Sequence, residues 1–320
     1  MYESSATTDV PTRRTLLGAG AGLLTAGLLA GSTAPAAATE PTSAKGPAAA
    51  KGPSSATEGA HAALRRLERA HRARVGAFAH NTRTGATVAY RADTRVPLCS
   101  VFKTLAVGAV LRDLDHNGET LARRVHYTAA DVVPNSPVTS QHTVTGMTIA
   151  ELCAAALQRS DNTAANLLLR ALGGPTAVTD FARSLGDRTT RLDRWEPELN
   201  SAEPGRTTDT TTPAAIARTY ARLLLGDALT PSDRGRLTAW MKANETNTER
   251  FRAALPKDWA LADKTGTGSY GTGNDVGVAW TPDGTPLVLA VLTGTAQQAD
   301  PSDDPLVAGV TRVLARAVTG

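Results

Sequence analysis

The chain has 320 residues, a formal net charge of +4 and a hydrophobic share of 41%. That is enough for one large domain or two smaller ones with a sizeable core. The small net charge, with no dense Lys/Arg run, excludes a phosphate-binding stripe and leaves no case for a nucleic-acid partner.

The N-terminus reads as an address label. Thr12-Arg13-Arg14-Thr15-Leu16-Leu17 has the form of a twin-arginine export signal. An apolar stretch from Leu16 to Ala30 follows, and Ala34-Pro35-Ala36-Ala37-Ala38 offers A-x-A cleavage sites. Residues 1–38 are therefore expected to be a signal peptide and the mature protein a secreted monomer. The apolar run is too short for a comfortable membrane span, and no cysteine lies near it to carry a lipid, so no stable membrane anchor is expected. Residues 39–57 are rich in Ala, Pro, Ser, Gly and Lys without an apolar period and read as a disordered linker.

The globular part is expected over residues 58–320. His61 to Ala73, with Leu64 and Leu67 among arginines, reads as an amphipathic helix. Val75 to His80 and Thr87 to Tyr90 read as strands around a Thr84-Gly85 turn. Leu105 to Leu114 carries a helical pattern that begins near Ser100. Thr148 to Arg159 and Ala164 to Leu172 are helical, with a break at Ser160-Asp161-Asn162. Arg191 to Thr212 has prolines and no period, and long loops inside compact domains are usually functional. Thr212-Pro213 opens a helix to Leu225. Val276 to Trp280 and Leu287 to Leu292 read as strands, and Pro305 to Val318 as a closing helix. The order implies an α/β (α+β) fold. An antiparallel sheet flanked by helices is built from both chain ends (about 58–95 and 213–320), and an all-helical part spans about 96–212.

The basic residues are biased. Lysine occurs only at positions 45, 51, 103, 242, 257 and 264, and arginine far outnumbers it. Arginine does not readily give up its proton, whereas a buried lysine does. A composition that favours arginine yet keeps Lys103 and Lys264 suits proton chemistry or a compact point charge. Cys99 and Cys153 are too few for a disulfide framework and read as small buried residues.

Four short motifs follow one another: Ser100-Val101-Phe102-Lys103, Ser160-Asp161-Asn162, Glu196-Pro197-Glu198-Leu199-Asn200 and Lys264-Thr265-Gly266. A chain this long throws up about one S-x-x-K by chance, so the set matters more than any member. Alone, Ser100 and Lys103 read more readily as a helix N-cap and a surface lysine. A serine hydroxyl needs a base before it attacks, and residues i and i+3 share a helix face. No G-x-S-x-G elbow is present, and the six histidines show no H-E-x-x-H or H-x-H spacing. A lysine or glutamate base is then the better candidate, and no metal or other cofactor is expected.

With S-x-x-K, S-D-N and K-T-G in this order, the chain resembles the class A, active-site serine β-lactamases from about Glu58 onward. The resemblance implies small-molecule β-lactam substrates. It makes Ser100 the nucleophile that forms an acyl-enzyme, with Lys103 and Glu196 as competing acylation bases. Glu196 would activate the deacylating water, which Asn200 helps to hold. Ser160 would pass a proton to the leaving nitrogen, and Asn162 would bind the acylamino side chain. Lys264, Thr265, Gly266 and Thr267 would bind the substrate carboxylate, with Arg250 as a second cation. The N–H groups of Ser100 and Thr267 would form the oxyanion hole. Arg194 and Asp209 match the ion pair that closes the family's Ω-shaped loop, and Asp161 and Asn166 read as scaffold.

The chain departs from the family at Asn135, where an aromatic residue is usual, and at Arg206 and Thr208 in the loop. Gly268 gives no sign of an expanded cephalosporin pocket. A D-alanyl-D-alanine peptidase would share the Ser/Lys chemistry, and a non-catalytic β-lactam sensor would also acylate. Glu196 with Asn200, on a loop bracketed by Arg194 and Asp209, argues for hydrolysis over both.

Overall fold

The computed structural model describes residues 55–320. The expected signal peptide, and the linker as far as residue 54, lie outside the described residues. Helix α1 (Ser55–His71) begins inside the stretch expected as linker. Ala60 and Leu64 give it a buried stripe, and Glu58 sits favourably in its first turn. Strands β1 (Arg74–Asn81), β2 (Thr87–Tyr90) and β3 (Val96–Pro97) follow. A 3₁₀ turn (Cys99–Val101) then leads into α2 (Phe102–Ala109), which ends in one π-helical turn (Val110–Leu114). Next come α3 (Glu119–Ala122), β4 (Arg124–Val125), β5 (Met147–Thr148), α4 (Ile149–Gln158), α5 (Asn162–Leu172) and α6 (Thr176–Ser184). After a long loop the chain forms β6 (Thr210–Thr211), α7 (Pro213–Leu224), α8 (Pro231–Lys242) and α9 (Phe251–Ala254). Strands β7 (Ala260–Gly268), β8 (Thr272–Trp280) and β9 (Pro286–Gly294) precede the closing helix α10 (Asp304–Thr319).

The main sheet has five strands in the order β2-β1-β9-β8-β7, every pair antiparallel. Both chain ends therefore build one sheet, as the element order implied. Alternation along β9 shows how it is packed. Val288, Ala290 and Leu292 face the larger core with α2, α4, α5 and α7, while Leu287, Leu289 and Val291 face a second core with α1 and α10. α7 and α8 lie on the same side as the helical part, so its core extends past residue 212.

Helix starts follow local chemistry. The Thr148 hydroxyl accepts from Glu151 N, and Glu151 reaches back to Thr148 N, a capping box for α4. Thr212 and Thr230 cap α7 and α8, each with proline in the first turn. The sequence showed α7 but not α8, because α8 buries only Leu237 and Met241 and has no apolar period. α6 was not expected either, although Val178, Phe181 and Ala182 give it a one-turn buried stripe.

Candidate active site

The chain crosses between the layers twice, at β3 and β6, and these strands pair with each other. Leu98 N donates to Asp209 O at 2.7 Å, which ties the turn carrying Ser100 to the end of the long loop. Cys99 then adopts φ +46°. Ser100 follows in the 3₁₀ turn, buried at the head of α2. The helix proper starts at Phe102, two residues later than its expected start near Ser100.

The edge strand β7 runs beside this turn. A Cβ built on Gly266 would lie 3.3 Å from Ser100 N, and one on Gly268 would lie 2.7 Å from Asn200 O. Glycine at both positions lets the strand approach the serine and the loop closely. Ser269 N donates to Asn200 O at 2.9 Å and closes that side.

Two groups converge on one carboxylate oxygen. Ser100 Oγ donates to Glu196 Oε1 at 3.4 Å, and Lys103 Nζ lies 3.1 Å from the same atom. Lys103 also donates to Ser160 O at 2.7 Å and Asn162 Oδ1 at 2.7 Å. Its side chain is wholly buried, and burial lowers its pKa against the opposing pull of Glu196. Asn200 Nδ2 donates to Glu196 Oε2 at 2.5 Å. Asn166 fixes the glutamate's backbone, donating to Glu196 O at 2.9 Å and accepting from Glu196 N at 3.0 Å.

Ser160 is held at φ +55° between α4 and α5. Lys264 Nζ donates to its Oγ at 3.1 Å, and Lys103 Nζ approaches the same oxygen at 3.4 Å. A hydroxyl that accepts from two ammonium groups has its own proton left to give. Asp161 caps α5 through Ala164 N at 2.8 Å and accepts from Val138 N and Thr139 N at 2.9 Å each. Lys264 is fully buried. Burial first and the Lys103 charge second push its pKa down to about 7, against Asp263 and Asp275.

Arg250 is bonded around its whole fork. Nε donates to Asp304, Nη1 to Gly266 O and Asn274 O, and Nη2 to Thr267 Oγ1 and Ser302 Oγ, at 2.8–3.3 Å. Its donors are thus spent on the protein. Thr265 Oγ1 pairs with Thr246 Oγ1 at 2.5 Å. Ser100, Ser160, Asn162, Asn200, Thr265 and Thr267 line one cleft of about 440 Å³, with Arg159, Thr246 and Arg250 on its walls.

The long loop is held from within. Arg194 Nε donates to Asp209 Oδ2 at 2.5 Å, and Asp193 N and Arg194 N donate to Asp209 Oδ1 at 2.7 and 3.0 Å. Glu203 joins Arg194 at 3.4 Å, Arg206 at 3.0 Å and Ser201 at 2.7 Å. Arg206 therefore contributes to closure despite departing from the family pattern. The Thr208 hydroxyl is buried without a protein partner.

A model of the "Beta-lactamase enzyme family" matches residues 60–318. A β-lactamase of Streptomyces fradiae is 65% identical over 260 residues, covering 80% of this chain and 85% of that protein. One of Streptomyces lavendulae is 56% identical over 313 residues, covering 96% of this chain and 97% of its own. Among solved structures, the β-lactamase of Streptomyces albus G matches with a TM-score of 0.80 at 60% identity, covering 81% of this chain and 98% of the other. An ancestral class A β-lactamase matches at 0.77 and 51% identity, covering 81% of this chain and 99% of the other. The chain belongs to the class A β-lactamases.

Asn135 lines the same cleft as Ser100. It sits at φ +60°, which asparagine tolerates, and its carbonyl accepts from Asn162 N at 3.0 Å. Cys99 and Cys153 are both buried free thiols whose pKa values burial raises. Sequence reasoning missed Asn274, whose Nδ2 donates to Pro97 O at 2.9 Å, and missed Thr246 and Arg159. These residues sit in no motif, and only the sheet register and the cleft reveal them. Among the described residues no group of three or more His, Cys, Asp or Glu could hold a metal ion, and no helix is long and apolar enough to cross a membrane.

Proposed function

We propose that this β-lactamase is exported and opens the ring of penicillins and cephalosporins through a Ser100 acyl-enzyme. The observation that carries the mechanism is Glu196: one oxygen faces Ser100 Oγ and Lys103 Nζ, and the other receives Asn200. Ser100 attacks the lactam carbonyl while its proton passes to Glu196. Lys103 already donates to acceptors on several sides, so in this arrangement it serves as a cation. The N–H groups of Ser100 and Thr267 stabilise the oxyanion. Ser160 gives its proton to the leaving nitrogen and takes one from Lys103, which in turn takes up the proton held by Glu196, so the carboxylate is free again. Glu196 then draws a proton from water for deacylation. Asn200 Oδ1, buried and without a protein donor, is the second acceptor such a water needs.

Lys264, Thr265 and Thr267 bind the substrate carboxylate, with Arg250 adding charge, and Asn162 reads the acylamino group. The twin-arginine signal at Arg13-Arg14 supports export, and the protein is read as a monomer. Glu196→Ala should accumulate a stable acyl-enzyme with benzylpenicillin, visible by intact mass, with turnover reduced at least about a hundredfold. Unchanged turnover would remove Glu196 from deacylation. Stoichiometric acylation without turnover in the unaltered protein would favour a sensor or peptidase.

A further inference from the structure

Beneath the carboxylate-binding strand lie two carboxyl groups that the reaction does not use. Asp263 on β7 and Asp275 on β8 are both fully buried. In the ladder Thr265 opposes Asp275 and Asp263 opposes Gly277, so the aspartates are diagonal neighbours on one face. A Cβ on Gly277 would lie 2.6 Å from Asp263 Cβ, so glycine there leaves the room Asp263 occupies.

Each carboxyl is half satisfied. Asp263 Oδ1 accepts from Asn247 Nδ2 at 2.7 Å and Asn244 Nδ2 at 3.3 Å. Asp275 Oδ2 accepts from Phe251 N at 3.1 Å. The remaining atoms, Asp263 Oδ2 and Asp275 Oδ1, are buried without a protein donor. Two ionised carboxylates would leave two buried oxygens without a protein donor. Burial raises both groups, and mutual repulsion holds Asp275 well above the carboxylate range. The charges that bear on them are Lys264 on β7 and Arg250 before α9, with the Tyr220 hydroxyl on α7, which donates to Val101 O at 2.7 Å.

We infer that Asp263 and Asp275 share one proton, Asp275 Oδ1–H donating to Asp263 Oδ2. This acid pair clamps the segment from Asn244 to Phe251 against the strand of Lys264. Asn244 and Asn247 fasten that segment to Asp263, and Phe251 N fastens it to Asp275. Arg250 and Thr246 ride on it, so the pair positions the carboxylate site. The inference rests on the proposed role of Lys264 and Arg250, and the aspartates are positioning residues that touch no substrate.

Asp275→Asn keeps the pattern, because an amide N–H replaces the shared proton and its oxygen still accepts from Phe251 N. Asp275→Ala removes both bonds. Infrared difference spectra of the unaltered protein against Asp275→Asn, in D₂O at neutral pH, should show a protonated-carboxyl C=O band lost in the variant. The KM for benzylpenicillin should stay within about twofold in Asp275→Asn and rise about tenfold in Asp275→Ala, with a smaller change in kcat. Absence of the band, or equal damage in both variants, overturns the inference. If Asp275→Ala does not fold, the band and Asp275→Asn still decide. If the unaltered protein fails to turn over benzylpenicillin, the functional reading fails while the band still tests the pair.

Discussion

At the scale of single residues, Lys264 joins burial to a measurable pH dependence. Its ammonium loses its proton near pH 7, far below the 10.5 of a free lysine, because it is desolvated beside Lys103. Below that value the cation is present to bind a substrate carboxylate, and above it the cation is lost. The KM of benzylpenicillin should therefore rise as pH increases past about 7, whereas its methyl ester, with no carboxylate to bind, should lack that slope. Parallel pH profiles for acid and ester would remove Lys264 from this role. Ser160 shows the same logic in its geometry. Two lysines fill its lone pairs, and its proton is left facing the cleft.

At the scale of elements, the loop between Arg191 and Thr212 has Asp209 as its most connected brace. Asp209 accepts from the Arg194 side chain and from two backbone N–H groups. Asp209→Ala leaves those donors partly buried and unpaired, at a cost of about 3 kcal/mol. Thermal melts should show the loss, and rapid-quench kinetics should show deacylation slowed more than acylation, since Glu196 rides on the loop and Ser100 does not. Equal slowing of both steps would mean that the loop acts on the whole site. This loop was legible from its prolines and lack of period, as were β1, β2, α7 and α10 from their periods and caps. The helices α6 and α8 were not: α8 sets its two buried side chains among polar residues without an apolar period, and the stripe of α6, Val178, Phe181 and Ala182, spans barely one turn. Ser100, Lys103, Glu196 and the K-T-G strand, which the structure gathers at one cleft, stood out because their motifs are local in sequence. Asp263, Asp275 and Asn274 gain meaning only across neighbouring strands, and Thr246 only through its contact with Thr265, none of which one sequence displays.

At the scale of the molecule, the central sheet separates two cores that share its strands, so neither can melt without exposing the other's apolar face. The crossings β3 and β6 close the chain from Val96 to Thr211 into a single loop with a two-stranded neck. Ser100 and Asp209 sit at that neck, and Glu196 depends on it. Closing so long a loop is an encounter between distant segments, and such encounters come late in folding. Helices α2, α4 and α5 need only near neighbours and can form before it. During refolding from denaturant, far-ultraviolet ellipticity should return first and hydrolysis of a chromogenic cephalosporin afterwards; recovery of both in one phase would contradict this order. The enzyme would then pass through a state in which most of its helices exist while the serine and the glutamate have yet to become neighbours.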